Sequence, residues 1–564
     1  NLNQLSSDAP NSLEALVSTG LVSSITLSDT APLVITTRDN FFDNQEAINA
    51  ITGNFSLKLT GLQIADVAVL NFPTRVAYTV GISDTTANLK DSIDFIETLA
   101  KAKKITVLNL IDGGKLNPLE ITEQQYKADI DVINMLAKTP SRNNGDSYNL
   151  SISNVLAADA YLLSTISNIH SVYVSDTSVN IARNILSLQK AALIMGFFPN
   201  LETNSNIRRT ILQQVDVTDN AAIALTDSQF LSIKDLVKIN FSENTQFSLF
   251  NVKGGNLSAL QTLITTANNS SLAINTIAMS DTAANLVKYV IAPTSAPVYA
   301  ALLQRVSNIL VSDNGVISLT KAQILNNKNL LKQITSAYGL VQTDAKASTT
   351  YPTPVTFSIS EVKDLIAQLT LPGKSQTLAR LSISIGDTAQ ALQTNMDYLE
   401  TLAKARFITA INFIDRSSGS EVKQTTAALT ITATQLTADI DALKLLAWPA
   451  NKKINVTGIT VASLTAVTAT LKSLVGDLNF TYTVTDTAKN IAAAIDTVLN
   501  PAAISGKLTS LTVSDGLTNP LTIKASQYDA DQKLLSAITK PYTLSLTNVL
   551  AKDVARFSAV NEVV

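Results

Sequence analysis

Five aspartates stand at nearly regular places in this 564-residue chain, each followed at once by Thr and, in four of them, by Asn three residues beyond that Thr. They are Asp84, Asp176, Asp281, Asp387 and Asp486, and a degenerate first copy is Asp8-Ala9-Pro10-Asn11. Carboxylate and amide oxygens repeated at fixed places are the ligands Ca²⁺ takes, so all five aspartates are candidate calcium ligands. The same residues, placed after a strand and before an apolar helical stripe, are also helix N-caps that accept backbone N–H groups and complement the helix dipole. Capping, with stacked copies forming a polar ladder, is the reading preferred here. Neither an EF-hand loop nor the glycine-rich GGxGxDxUx calcium repeat occurs in the sequence. A second series, Asp29, Asp112, Asp313, Asp415 and Asp515, precedes Thr, Gly, Asn or Arg and is expected in tight turns.

The other reactive side chains are few. The chain has no Cys, which excludes disulfides, thiolate metal sites and a Cys nucleophile. His170 is the only histidine, so neither a zinc site built on several histidines nor a Ser-His pair repeated in each unit can form. It is expected as a packed or surface residue beside a strand. The stretch Leu371-Pro372-Gly373-Lys374-Ser375 has the tail of a P-loop, but Gln368 stands where that motif needs its first Gly. Tyr126 and Tyr528 are expected as core or rim aromatics. No catalytic residue and no cofactor follows from these patterns, calcium excepted, and the expectation is a protein that is not an enzyme. With 42 basic against 45 acidic residues the net charge is −3, which offers nucleic acid no clustered cationic surface. Lys101, Lys103 and Lys104 fall at the end of a helical pattern, where cations cap the C-terminus.

Repetition dictates the elements that position these residues. Successive copies of the Asp motif lie 76, 92, 105, 106 and 99 residues apart, an array with approximate units 1–80, 81–172, 173–277, 278–383, 384–482 and 483–564. After each motif comes a helical stripe, such as Leu89, Ile93, Ile96 and Ala100 or Leu392, Met396, Leu399 and Ala403. A short alternating strand then leads to the second Asp, and a further strand (PLEIT, VISLT, ALTIT, PLTIK) to a helix with Gln near its start: Gln125, Gln229, Gln323, Gln435 and Gln527. A third strand (FSLKLT, YNLSIS, FSLFN, VTFSIS, INVTG, YTLSLT) and a short helix close the unit. The strands alternate apolar residues with Ser or Thr instead of running continuously apolar, so one sheet face is expected to be open. The pattern predicts an α/β fold: an elongated solenoid of strand-helix coils with a mainly parallel sheet.

Two stretches are unusually alike. ETLAKAKKIT from Glu97 matches ETLAKARFIT from Glu400, and ADID recurs from Ala128 and Ala438, as expected of a duplicated block of three units. The motif series, best carried by residues 24–29 and 281–285, resembles the repeat regions of very large secreted bacterial surface proteins, adhesin-like, surface-layer-like or of the haemolysin-type calcium-binding kind. The resemblance implies an extracellular, cell-surface scaffold that self-assembles into a layer or filament. An alternative is a module that binds glycans or another ligand on the open Ser/Thr face. No apolar run approaches the roughly 20 residues that span a bilayer, and the first residues have no signal-peptide pattern. The chain therefore reads as a mature protein or a segment of a longer one, with uncapped ends meeting a neighbouring domain or the next subunit head to tail.

Overall fold

The computed structural model describes residues 12–557 apart from 31–32, 36, 114–116, 137–147, 201–204, 243–244, 267–272, 295–296, 347–354, 370–377, 416–421, 424–425, 449–450 and 477–479. The Asp8 motif, the loop Leu371 to Ser375 and the last seven residues lie outside the described residues. The chain divides into two compact units, Asn1–Ala278 with Val298–Arg305, and Met279–Pro297 with Val306–Val564.

Both units are mixed α/β with mainly parallel sheets. In the first unit the strands Leu33–Ile35, Phe55–Leu62, Val76–Asp84 and Ile105–Leu110 form one parallel sheet in chain order, and Leu119–Thr122, Leu150–Val155, Ile169–Asp176 and Leu212–Val217 form the next. In the second unit Val316–Leu319, Tyr338–Gln342, Leu378–Asp387 and Ile408–Asp415 repeat the scheme, followed by Thr426–Thr432, Asn451–Ile459, Phe480–Asp486 and Leu508–Val513. Parallel neighbours need a crossover, and helices supply it after each strand. All five candidate aspartates occupy one place, the C-terminal residue of a third strand: Val76–Asp84, Ile169–Asp176, Ala273–Asp281, Leu378–Asp387 and Phe480–Asp486.

The alternation seen in the sequence becomes a two-faced strand. In Phe55–Leu62 the residues Phe55, Leu57 and Leu59 are buried, while Ser56 and Thr60 are half-buried and Lys58 is exposed. The same second strand ends in a bulge in which the residue before the last apolar one has positive φ: Gly61 (74°), Asn154 (53°), Asn251 (54°) and Gly458 (72°). That conformation suits Gly and, among residues with a side chain, Asn best, and it turns Leu62, Val155, Val252 and Ile459 back into the core.

Two expectations need correction. The stripe after four of the five Asp motifs is not one continuous helix. Backbone angles leave the helical region eight residues past the Asp, at Ser92 (φ −124°, ψ 16°), Asn184, Asn395 and Ala494. At Asn184 and Asn395 the side-chain amide donates to the carbonyl four residues back, at 3.0 and 2.8 Å, competing with the helical ladder. The stripe survives the break, with Leu89, Ile93 and Ile96 at most 1% exposed. The predicted strand VTFSIS from Val355 is reduced to a single bridge from Phe357 to Ile385. Ser358 and Glu361 form a reciprocal cap there, and the helix Ile359–Leu369 takes over the segment.

Four of the sheets are also stitched to the coil that follows. The last strand of one sheet pairs in parallel with the short stretch leaving the next helix pair. This pairing joins Leu212–Val217 to Asn240–Phe241, Ile309 to Ile334, Ile408–Asp415 to Leu446–Ala447 and Leu511 to Ile538. Among the described residues no helix is long and apolar enough to cross a membrane.

Candidate functional site

At the C-terminal edge of each parallel sheet, first-turn N–H groups of the helices point outward with nothing in their own helix to accept them. The candidate aspartates answer this need. Asp84 accepts from the Thr85 N–H (2.7 Å) and the Asn88 side-chain amide (2.7 Å) with one oxygen, and from the Ile64 N–H of the preceding coil (2.8 Å) with the other. Asp176 repeats this with Thr177, Asn180 and Ala157, and Asp486 with Thr487, Asn490 and Val461, all at 2.8–3.0 Å. Asp387 accepts from Thr388 and Ile359, but Ala391 stands where the others have Asn. Asp281 accepts from Thr282 and Asn285. The Thr after each Asp is the N-cap, its hydroxyl accepting from the N–H three residues on. Each carboxylate thus clasps its own helix and, at Asp84, Asp176, Asp387 and Asp486, the start of the helix one coil earlier.

The second aspartate series extends the ladder by one rung and is more than a set of turn residues. Asp112 accepts from the Thr86 N–H (2.7 Å), Asp313 from Ala283 (3.1 Å) and Asp515 from Ala488 (2.7 Å). Asp29 is exposed, and Asp415 ends its strand. Sequence reasoning missed the member of this series that serves the coil after Asp176. Asp219 accepts from the Ser178 N–H and hydroxyl (3.2 and 3.0 Å), and the signal was hidden because an antiparallel hairpin, Met195–Asn200 with Ser205–Thr210, is inserted before its strand. Asp344, which accepts from the Lys321 N–H at 3.0 Å, was missed as well. The Ala488 N–H first, and then the Asn519 side-chain amide, hold the Asp515 carboxyl below the usual carboxylate range.

The five glutamines complete the edge. Gln125, Gln229, Gln323 and Gln435 close capping boxes with Thr122, Thr226, Thr320 and Thr432, each amide oxygen accepting the Thr N–H at 2.9–3.0 Å. Gln527 accepts from Lys524 in the same way at 2.8 Å. Tyr126 is half-buried, and Tyr528 packs edge-on against Phe557 with ring centroids 5.6 Å apart. His170 is half-buried and lines a cleft of about 640 Å³ with Tyr161 and Met195. Only part of the lysine cluster does what was expected. Lys101 reaches Glu97 (3.2 Å) and the Ala128 carbonyl, whereas Lys104 bonds the Tyr78 hydroxyl (3.0 Å) and Lys103 takes a left-handed backbone (φ 56°).

What the arrangement can do is therefore mechanical first. A carboxylate surrounded by N–H donors in three directions is electrically satisfied, and its oxygens are turned toward amides, not toward other acids. Among the described residues no three acidic or histidine side chains converge as a metal-ligating group. Fold and edge together define a mixed α/β protein whose parallel-sheet modules share one carboxylate clasp. No protein-family model and no curated protein matches the chain.

Proposed function

We propose that the chain is an extracellular structural or adhesive scaffold of a bacterial cell surface, an elongated α/β solenoid that associates head to tail into a layer or filament. One observation carries this reading: the same Asp clasp recurs at the end of the third strand of every module, and at Asp84, Asp176, Asp387 and Asp486 it ties a coil to the one before it. A clasp that links like to like is the device of an array, which gains length by adding modules. The half-buried hydroxyls of Ser56 and Thr60, beside the buried Leu57 and Leu59, are groups suited to contact with glycans. Solution scattering and negative-stain electron microscopy, with and without calcium, test the proposal. Elongated particles that order into sheets or filaments are expected. A compact particle with a radius of gyration near the roughly 24 Å expected of one globule of this length would overturn the solenoid. Glycan binding by chains that never assemble would favour the ligand-binding alternative instead.

A further inference from the structure

Three aspartates are placed unlike any of those above. Asp129, Asp439 and Asp531 sit at the break between the two short helices of the Gln-capped coil, and all three are buried, at 2%, 2% and 0% exposure. Their backbones coincide, with φ of −106° or −107° and ψ between 26° and 34°. Each faces an exposed aspartate ten residues past an Asp motif, on the helix of the coil before: Asp94, Asp397 and Asp496. The two carboxyl groups of each pair face each other, and they can share a hydrogen bond only if one of them holds a proton. Asp129 and Asp439 each keep one buried carboxyl oxygen, and Asp531 both of its oxygens, without a hydrogen-bond partner.

The surroundings are those of a group that stays protonated. Around Asp129 stand Asp94, Glu97 and Lys101; around Asp439, Asp397, Glu400 and Lys404; around Asp531, Asp496 and Asn500. The cations are already engaged, Lys101 with Glu97 and Lys404 with Glu400, both at 3.2 Å. Burial first, then the neighbouring acids, push all three buried carboxyls up to about 6.

The chain supplies its own control. In the other two modules the position at the helix break is Ile233 or Asn327, with nearly the same backbone (φ −97° and −110°), so the fold does not require an acid there. In those modules the facing position is Leu186 or Ile291. Acid stands opposite acid in three modules and is absent from both positions in two.

We propose that Asp129–Asp94, Asp439–Asp397 and Asp531–Asp496 are proton-sharing clasps that tie neighbouring coils together in mildly acidic surroundings and loosen toward neutrality. The sign follows from the raised pKa. A carboxyl that is harder to ionise in the folded chain than in the unfolded one stabilises the fold fully below the ordinary carboxylate value near 4, and loses that contribution as pH rises through about 6. Such a chain holds together more firmly at pH 5 than at pH 7.

The test compares urea unfolding of the wild-type chain and the triple variant D129N/D439N/D531N at pH 5 and pH 7. An asparagine can donate an N–H to the facing carboxylate at any pH. In the wild type the unfolding constant should rise about tenfold per pair between pH 5 and pH 7, and in the variant that rise should vanish. Parallel pH profiles for the two chains would overturn the proposal. Should the variant fail to fold, carboxyl ¹³C NMR of the wild type decides alone. Three aspartates titrating near pH 6 are expected, and complete ionisation of every aspartate by pH 5 would refute it.

Discussion

Asp176 and Asp129 both stand at the start of a helix, and the chain uses them in opposite senses. Asp176 receives two backbone N–H groups and an Asn amide within 3.0 Å, so its charge is the reason it is there. Asp129 lies against a second carboxyl and directs one oxygen at no donor, so its proton is. What separates them is the partner that the preceding coil presents: backbone donors at the sheet edge, another acid at the helix break. A helix-start Asp therefore does not declare its ionisation state. The preceding coil decides it.

Mutations that remove one side of this comparison and leave the other intact sharpen it most. Asp176→Ala leaves the Thr177 and Ala157 N–H groups and the Asn180 amide without acceptors and should lower stability at pH 7 by about 3 kcal/mol, read from chemical denaturation. The Glu97→Ala change acts between the two kinds of site. Glu97 is buried and accepts the Val132 N–H at 2.9 Å, so its loss should cost about 2 kcal/mol and speed amide exchange at Val132. Gln229→Ala opens one capping box and should cost about 1 kcal/mol, seen as a lower thermal midpoint with unchanged helix content. An equal loss for all three changes would mean that the clasp has no special standing among the caps. The acid limb adds a contrast in sign. Asp515 is held below its usual range, so its contribution is present above about pH 4 and disappears as pH falls further, opposite to the buried pairs.

Much of this architecture is written in local pattern. Alternating strands, Thr caps and the Gln three residues into a helix are short-range signals, and the strands at Leu119, Val316 and Leu521 fall where the sequence places them. The aspartate clasp was half-visible: an acid before a helix announces a cap on its own helix, but its second oxygen serves Ile64 or Val461, some 20 to 25 residues upstream. No spacing rule reveals that contact before the sheet order is known. The helix breaks were hidden for a different reason, since Leu89, Ile93 and Ile96 stay on one buried face whether or not Ser92 is helical. Asp219 was hidden by the inserted hairpin, and Gln213, Gln214 and Asp216 further spoil the apolar alternation of the strand before it. The acid pairs lay in plain sight as ADID and as Asp ten residues past a motif, but their meaning depends on burial.

The stitching of a sheet to the following coil sets the grain along which the molecule can be cut. Because Ile309 pairs with Ile334, and Ile408–Asp415 with Leu446–Ala447, the stretch of chain that closes a sheet is encoded inside the next module. Gene segments trimmed at the Asp motifs would yield pieces whose final strand is exposed along one side. Fragments that overrun into the next helix pair would carry their own seal. Recombination between modules is consequently favoured at boundaries offset from the visible motif, where a duplicated block arrives with its closing strand already attached.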